Sequence, residues 1–215
     1  MNLREELLRV YEDARSNRSS EENETTDRAA AELFNAGTAD RAKAVGDVAP
    51  VFSLPSATGE TVTLSDLLED GPVVLSFYRG SWCPYCNLEL RALQANIMEF
   101  KARNARLVAI SPQVPDESLS TAEKHSLTFD VLSDVGAIVS QSYGLSFVIP
   151  AELAALYERR GHDLIRRNGG DGRTLVIPAT YVIRQSGSIS WSFVDSDHTK
   201  RAEPRDLIAA LDAIR

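Results

Sequence analysis

Apolar and polar positions recur with different periods along the chain, and each period predicts an element. Near the N-terminus, Leu3, Leu7, Val10, Tyr11 and Ala14 fall at helical spacing and make one narrow apolar face. The next stretch, Ser16 to Asp27, is polar without apolar rhythm and reads as a loop or hinge. A second helix is predicted from about Asp27 to Lys43, with Ala30, Leu33, Phe34 and Gly37 on one side. The two helices read as an arm that packs on the rest of the protein or joins two copies into a homodimer.

From Val45 the pattern changes. Pro50 and Pro55 bracket a short predicted strand, Val51 to Leu54, and Thr58-Gly59 turns the chain into a return strand at Val62 to Leu64. Ser65 reads as the cap of a short helix that Gly71-Pro72 ends. Val73 to Tyr78 is a nearly continuous apolar run, the pattern of a strand buried on both faces. Cys86, Leu90, Leu93, Ile97 and Phe100 then repeat at steps of four and three, predicting one long helix with Cys86 on its core-facing stripe. Leu107 to Ile110, Leu119 to His125 and Phe129 to Leu132 read as strand, helix and strand, which predicts parallel pairing with a right-handed crossover.

Ser146 to Gly172 reads as an insertion, with a helix after Pro150. Thr174 to Ile183 and Ser188 to Val194 read as two strands joined by a hairpin at Gln185-Ser-Gly187. Leu207, Ile208, Leu211 and Ile214 mark a closing helix. The expected organisation is a helical arm, residues 1–44, and an α/β domain, residues 45–215, with a central mixed sheet flanked by helices.

Composition narrows the function. The chain has 215 residues and a formal net charge of −8, a balance that argues against nucleic acid or an anionic membrane surface as partner. No apolar run approaches the ~20 residues of a membrane span. The opening MNLREELL has no apolar stretch of the kind a signal peptide needs, so a cytoplasmic protein is expected.

There are two cysteines, Cys83 and Cys86, and their spacing suggests redox or metal chemistry. A thiol attacks as thiolate, and a helix N-terminus favours that anion. Here a buried strand ends, the chain turns, and Cys83 arrives where Pro84 opens the helix. Cys83 is therefore expected as the exposed, low-pKa nucleophile, with Cys86 beneath it as the resolving thiol. A zinc site would need two further ligands, yet His125, His162 and His198 are scattered. His198 with Asp195 and Asp197 reads as a solvated loop. Two inert buried thiols are the remaining alternative. Trp82 reads as a packing and substrate platform beside the motif.

Trp82-Cys83-X-X-Cys86, between an apolar strand and a long helix, resembles thioredoxin, and the Pro84-Tyr85 pair resembles that of glutaredoxins. Gly46 to Pro55, then Tyr78-Arg-Gly-Ser-Trp-Cys-Pro-Tyr-Cys-Asn-Leu-Glu-Leu90, then Leu132 to Val135, together resemble the peroxiredoxin-like branch of the alkyl hydroperoxide reductase/thiol-specific antioxidant family. The resemblance covers roughly residues 44–212 and implies a thioredoxin-like fold. It also implies reduction of hydroperoxides through a reversible Cys83–Cys86 disulfide, restored by a thioredoxin or a small thiol. It calls for no cofactor and no metal. Pro178 takes the place of the thioredoxin cis proline facing the cysteines.

Substrate is then expected against Trp82, Pro84, Tyr85 and Pro178. Typical peroxiredoxins carry P-x-x-x-T-x-x-C. With Cys86 as the attacking cysteine, Cys83 stands at the threonine place and Arg79 at the proline place; with Cys83 as the attacking cysteine, Gly80 stands at the threonine place. The arginine those proteins carry near the later strand is replaced by Pro178. Arg79 reads equally as a solvated loop residue or as the substitute, able to lower the Cys83 pKa and hold a peroxide oxygen. Two other readings stand beside peroxide reduction: thiol–disulfide exchange on protein or small disulfides, and a redox-sensing module that only switches conformation.

Overall fold

The computed structural model describes residues 2–214. Met1 and Arg215, the outer ends of the two expected ranges, lie outside the described residues.

Two helices open the chain, α1 (Leu3–Ser16) and α2 (Ser20–Asn35). The expected hinge is shorter than Ser16–Asp27, and the second helix starts and ends earlier than predicted. The physical reason is a capping box: the Ser19 side chain accepts from the Glu22 N–H, and the Glu22 carboxylate accepts from the Ser19 N–H. A polar first turn carries no apolar rhythm, so only the cap marks the start. The helix stops before Gly37, whose φ is +60.

A small antiparallel pair follows, β1 (Ser53–Pro55) with β2 (Thr61–Thr63). Helix α3 (Leu64–Asp70) is capped by Thr63, which accepts from the Asp66 N–H, and not by Ser65. The central strand β3 (Val73–Phe77) is buried at every residue, as its unbroken apolar run predicts. The predicted long helix is two, α4 (Pro84–Ala95) and α5 (Ile97–Lys101), meeting at Asn96. Next come β4 (Arg106–Ser111), α6 (Pro115–Lys124), β5 (Asp130–Ser133) and α7 (Ile138–Ser142). The expected insertion holds β6 (Ser146–Val148), α8 (Ala151–Arg159) and α9 (Leu164–Asn168). The chain ends with β7 (Thr174–Val176), β8 (Ala179–Ile183), β9 (Ile189–Val194) and α10 (Pro204–Asp212).

The central sheet is mixed, in the order β5-β4-β3-β8-β9. β3, β4 and β5 run parallel, whereas β8 is antiparallel to both β3 and β9. The predicted strand Thr174–Ile183 is broken at Ile177-Pro178: β7 leaves to pair with β6, and β8 joins the central sheet. Proline lacks the N–H a continuous ladder needs, so the break falls there. One sheet face and its flanking helices enclose Phe77, Tyr143 and Tyr181, whose rings meet at 4.9 to 6.2 Å. Elsewhere α1 lays Leu3 and Leu7 into a cluster with Tyr85, Cys83 and Cys86. The arm thus packs over the start of α4.

Candidate active site

The cysteine motif lies where β3 gives way to α4. Cys83 is the N-cap, with extended backbone (φ −90, ψ 113), and Pro84 is the first helical residue. Pro84 is exposed there, and its missing N–H is one the first turn would leave unpaired. The Cys83 N–H donates to the Gly80 carbonyl at 3.1 Å, closing the turn that presents the motif. Gly80 adopts φ +143, and a Cβ there would stand 2.5 Å from Trp82 Nε1. Only glycine fits both the conformation and the space.

Both sulfurs are buried. Cys83 is 1% exposed and Cys86 is fully enclosed, so the expected exposed nucleophile is corrected. The capping position does not by itself give access, because α1 and the insertion cover the motif. The expected difference in acidity is nevertheless present. Burial alone pushes the Cys83 thiol up, but a hydrogen bond from Cys86 and the charges of Arg79 and Arg201 bring it down to about 6. Burial, reinforced by the neighbouring Cys83, drives Cys86 well above its ordinary value.

Arg79 is no solvated loop residue. It is 4% exposed, its Nη2 donates to the Tyr157 hydroxyl at 2.6 Å, and its guanidinium lies 4.7 Å from the Trp82 ring centre. Its backbone N–H donates to Cys86 Sγ at 3.4 Å. Trp82 is half-buried and packs on Tyr157 and His162 of the insertion, with ring centres 5.3 and 5.5 Å apart. Tyr85 is buried and meets His198 edge-on at 5.5 Å. His198 therefore belongs to the wall of the site, contrary to the solvated loop expected. Burial and the charges of Arg79, Arg201 and Arg18 hold its pKa well below the usual value, so it is neutral near pH 7.

Pro178 reaches the site but not in the expected form. Among the described residues no peptide bond is cis, so Ile177–Pro178 is trans. The Ile177 N–H donates to the Leu145 carbonyl and Ala179 begins β8, an extended path that a trans bond continues. Pro178 still lines a small cavity, of about 40 Å³, with Arg79, Tyr157 and His198.

Sequence reasoning missed the most consequential neighbours. Arg201, just before α10, donates from Nη2 to Cys86 Sγ at 3.1 Å and from Nε to Glu89 at 2.6 Å. Both side chains of the Arg201–Glu89 pair are 1% exposed. Thr180 of β8 donates to the other Glu89 oxygen at 3.3 Å. Burial raises Glu89 to about 7 against the opposing pull of Arg201. Burial also works against the Arg201 charge, yet Cys86, Glu89 and Cys83 keep it above its ordinary value. The one signal was Glu89 on the apolar stripe beside Leu90: a charge facing inward needs a partner. Nothing local pointed to Arg201, which lies 115 residues from Cys86.

Comparison with known proteins identifies the family and the fold. Residues 45–192 match the family model described as the AhpC/TSA family. The chain belongs to the AhpC/TSA family. Within it, the chain is 35% identical over 100 residues to peroxiredoxin Bcp of Escherichia coli K12, a stretch covering 46% of this chain and 64% of that protein. It is 29% identical over 124 residues to the chloroplastic peroxiredoxin Q of Gentiana triflora, covering 58% and 55% of the two chains. The matched segment thus spans under two thirds of these relatives. The solved structure of peroxidoxin BcpB from Mycobacterium tuberculosis superposes with a TM-score of 0.64 at 27% identity, covering 80% of this chain and 97% of that one. A reduced 2-Cys peroxiredoxin from Plasmodium vivax shares the fold, with a TM-score of 0.62 at 20% identity. The expected family and the thioredoxin-like peroxiredoxin fold are both borne out.

Proposed function

We propose that the protein is a thiol peroxidase that reduces hydroperoxides through a reversible Cys83–Cys86 disulfide. The observation that carries this reading is a buried cysteine pair at a helix start with two buried arginines against it, Arg201 donating to Cys86 Sγ at 3.1 Å and the Arg79 N–H at 3.4 Å; the same two charges draw the Cys83 thiol down. The thiolate attacks one oxygen of ROOH, the O–O bond breaks, and ROH leaves after taking a proton; Cys83 becomes a sulfenic acid. Cys86 then attacks the Cys83 sulfur and hydroxide leaves as water, giving the disulfide. Glu89, which shares Arg201 with Cys86, can accept the Cys86 proton at its pKa of about 7. A thioredoxin or small thiol returns two electrons and two protons.

Arg79 and Arg201 supply the positive charge against which the breaking O–O bond polarises. With Cys83 attacking, the peroxiredoxin threonine place falls on Gly80, so one polarising hydroxyl is missing and a rate below that of a typical peroxiredoxin is expected. The second reading, exchange with protein or small disulfides, is favoured by the two-cysteine spacing and opposed by burial. A small hydroperoxide needs less room than a folded partner. A reducing compartment, the cytoplasm, suits a dithiol resting state. Among the described residues no helix is long and apolar enough to cross a membrane.

Steady-state kinetics with hydrogen peroxide, an organic hydroperoxide and a disulfide, side by side, test the reading. Peroxide should oxidise the reduced protein faster than an unstructured peptide thiol of matched pKa. Equal rates, with disulfide turnover intact, would make the protein an oxidoreductase of the second kind.

A further inference from the structure

The arm and the segment after β9 enclose a cavity of about 840 Å³. Neither wall belongs to the family match, which ends at residue 192 and starts at 45. The arm contributes Leu8, Tyr11 and Phe34, and the end of β9 contributes Phe193. Leu8 and Phe34 are 54% and 71% exposed, a cost in water that an apolar occupant would remove. The inner end is closed by Tyr85, His198 and Arg201. Because Arg201 touches Cys86 Sγ at 3.1 Å, the chamber stops one side chain short of the sulfurs.

The charge in this chamber is unbalanced. Asp27 is taken by Arg15 through bonds of 2.7 and 3.1 Å, and Asp195 by Lys200 at 2.9 Å. Asp197 accepts from Thr199 and faces Lys200. Arg4 and Arg18 line the same space, and among the described residues neither guanidinium makes an ion pair, the Arg4 contact with Glu203 at 2.8 Å running through its backbone N–H. The Arg18 Nε is buried and makes no hydrogen bond. Arg18 occupies the turn between α1 and α2, and its charge acts on Tyr85 and His198 at the floor. A guanidinium without an ion pair beside an apolar wall matches a ligand with an anionic group on an apolar chain.

We propose that this arm-built chamber binds organic hydroperoxides that carry an apolar chain and a carboxylate, with Arg18 as the anion's partner. The proposal rests on the peroxidase reading and names the substrate class of that site. The chamber and the smaller cavity beside Arg79 share Thr26, Ala30, Ser196 and His198, so parting of the Tyr85–His198 ring contact joins them. The peroxide end then meets the cysteines; ROOH becomes ROH and water while the dithiol becomes the disulfide, as above.

The test separates binding from turnover. Dodecanoate, which carries no peroxide, is titrated calorimetrically into the reduced full chain below its micelle concentration. Saturable binding is expected, weakened about tenfold or more by Arg18→Gln, the loss expected for a hydrogen bond to a charged group. Arg18→Lys should recover part of it, and Leu8→Glu should weaken it by placing an acid in the wall. Kinetically, Arg18→Gln should lower kcat/KM for a carboxylate-bearing long-chain hydroperoxide relative to that for neutral cumene hydroperoxide. No binding by the wild type, or equal binding by Arg18→Gln, overturns the chamber. Arg18-dependent binding with no turnover of either hydroperoxide supports the chamber as a carboxylate site and overturns the peroxidase reading.

Discussion

Arg201 Nη2 lies 3.1 Å from Cys86 Sγ while the same guanidinium, through Nε, holds Glu89 at 2.6 Å. One cation thus ties the buried thiol to a buried carboxyl. Removing it strands Glu89 in the core, a change that costs about 3–5 kcal/mol when a buried pair is broken. Arg201→Met should lower stability by that order in chemical denaturation. The double variant Arg201→Met/Glu89→Leu should regain most of the loss, because neither charge remains. A double variant as unstable as the single would show that packing, not the stranded charge, sets the cost.

The acidity of Cys83 fixes a pH profile. With its pKa down to about 6, the thiolate is half formed near pH 6 and nearly complete by neutral pH. Cys86 stays protonated well beyond its ordinary range. Alkylation of the reduced protein should therefore label Cys83 first, with a rate that rises with pH through a midpoint near 6. The urea-unfolded chain should show the ordinary thiol midpoint of about 8.5. Peptide mass after brief labelling at pH 6.5 reads the order; Cys86 labelled first would exchange the roles of the two cysteines.

Much of this was legible in the sequence because the signal was local. The unbroken run Val73–Phe77 gave a buried central strand, and Cys83-Pro84 marked the start of α4. The arm's second helix was misplaced because its start is written in a polar cap, Ser19 with Glu22, and not in apolar spacing. The strand after the insertion was read as one because Ile177-Pro178 divides it between sheets without interrupting its hydrophobicity. The exposure of Cys83 and the role of Arg201 were out of reach for another reason. Both depend on segments, α1 and residues 195–201, that meet the motif only after folding.

The covering role of α1 gives a third prediction. Leu7 is 6% exposed and sits in the cluster that includes Cys83 and Tyr85. Leu7→Ala should destabilise the protein by about 2–5 kcal/mol, the range for truncating a buried leucine. It should also speed alkylation of Cys83 by a neutral reagent at pH 8, where the thiolate is formed in both proteins. Faster labelling at unchanged pH midpoint identifies α1 as a cover over the sulfur. An unchanged labelling rate would mean that access runs through the insertion side, past Trp82 and Tyr157.

Arg79 should act twice, and the two effects can be told apart. Its charge helps lower the Cys83 pKa, and its guanidinium, held by Tyr157 at 2.6 Å, can polarise a peroxide oxygen. Arg79→Ala should shift the Cys83 midpoint upward, which slows every reaction of the thiolate at pH 7. At pH 9 that deficit disappears, because both thiolates are formed. Any remaining loss is then transition-state stabilisation, and removing one preorganised donor typically costs about a hundredfold. Oxidation by hydrogen peroxide at pH 9 should stay slow by about that factor, while exchange with a small disulfide should recover to within a few-fold. The backbone N–H of residue 79, which donates to Cys86 Sγ at 3.4 Å, survives the substitution, so the resolving thiol keeps that contact. Stopped-flow oxidation monitored by tryptophan fluorescence gives both rates. Full recovery of the peroxide rate at pH 9 would reduce Arg79 to a pKa effect and leave Arg201 as the group that polarises the O–O bond.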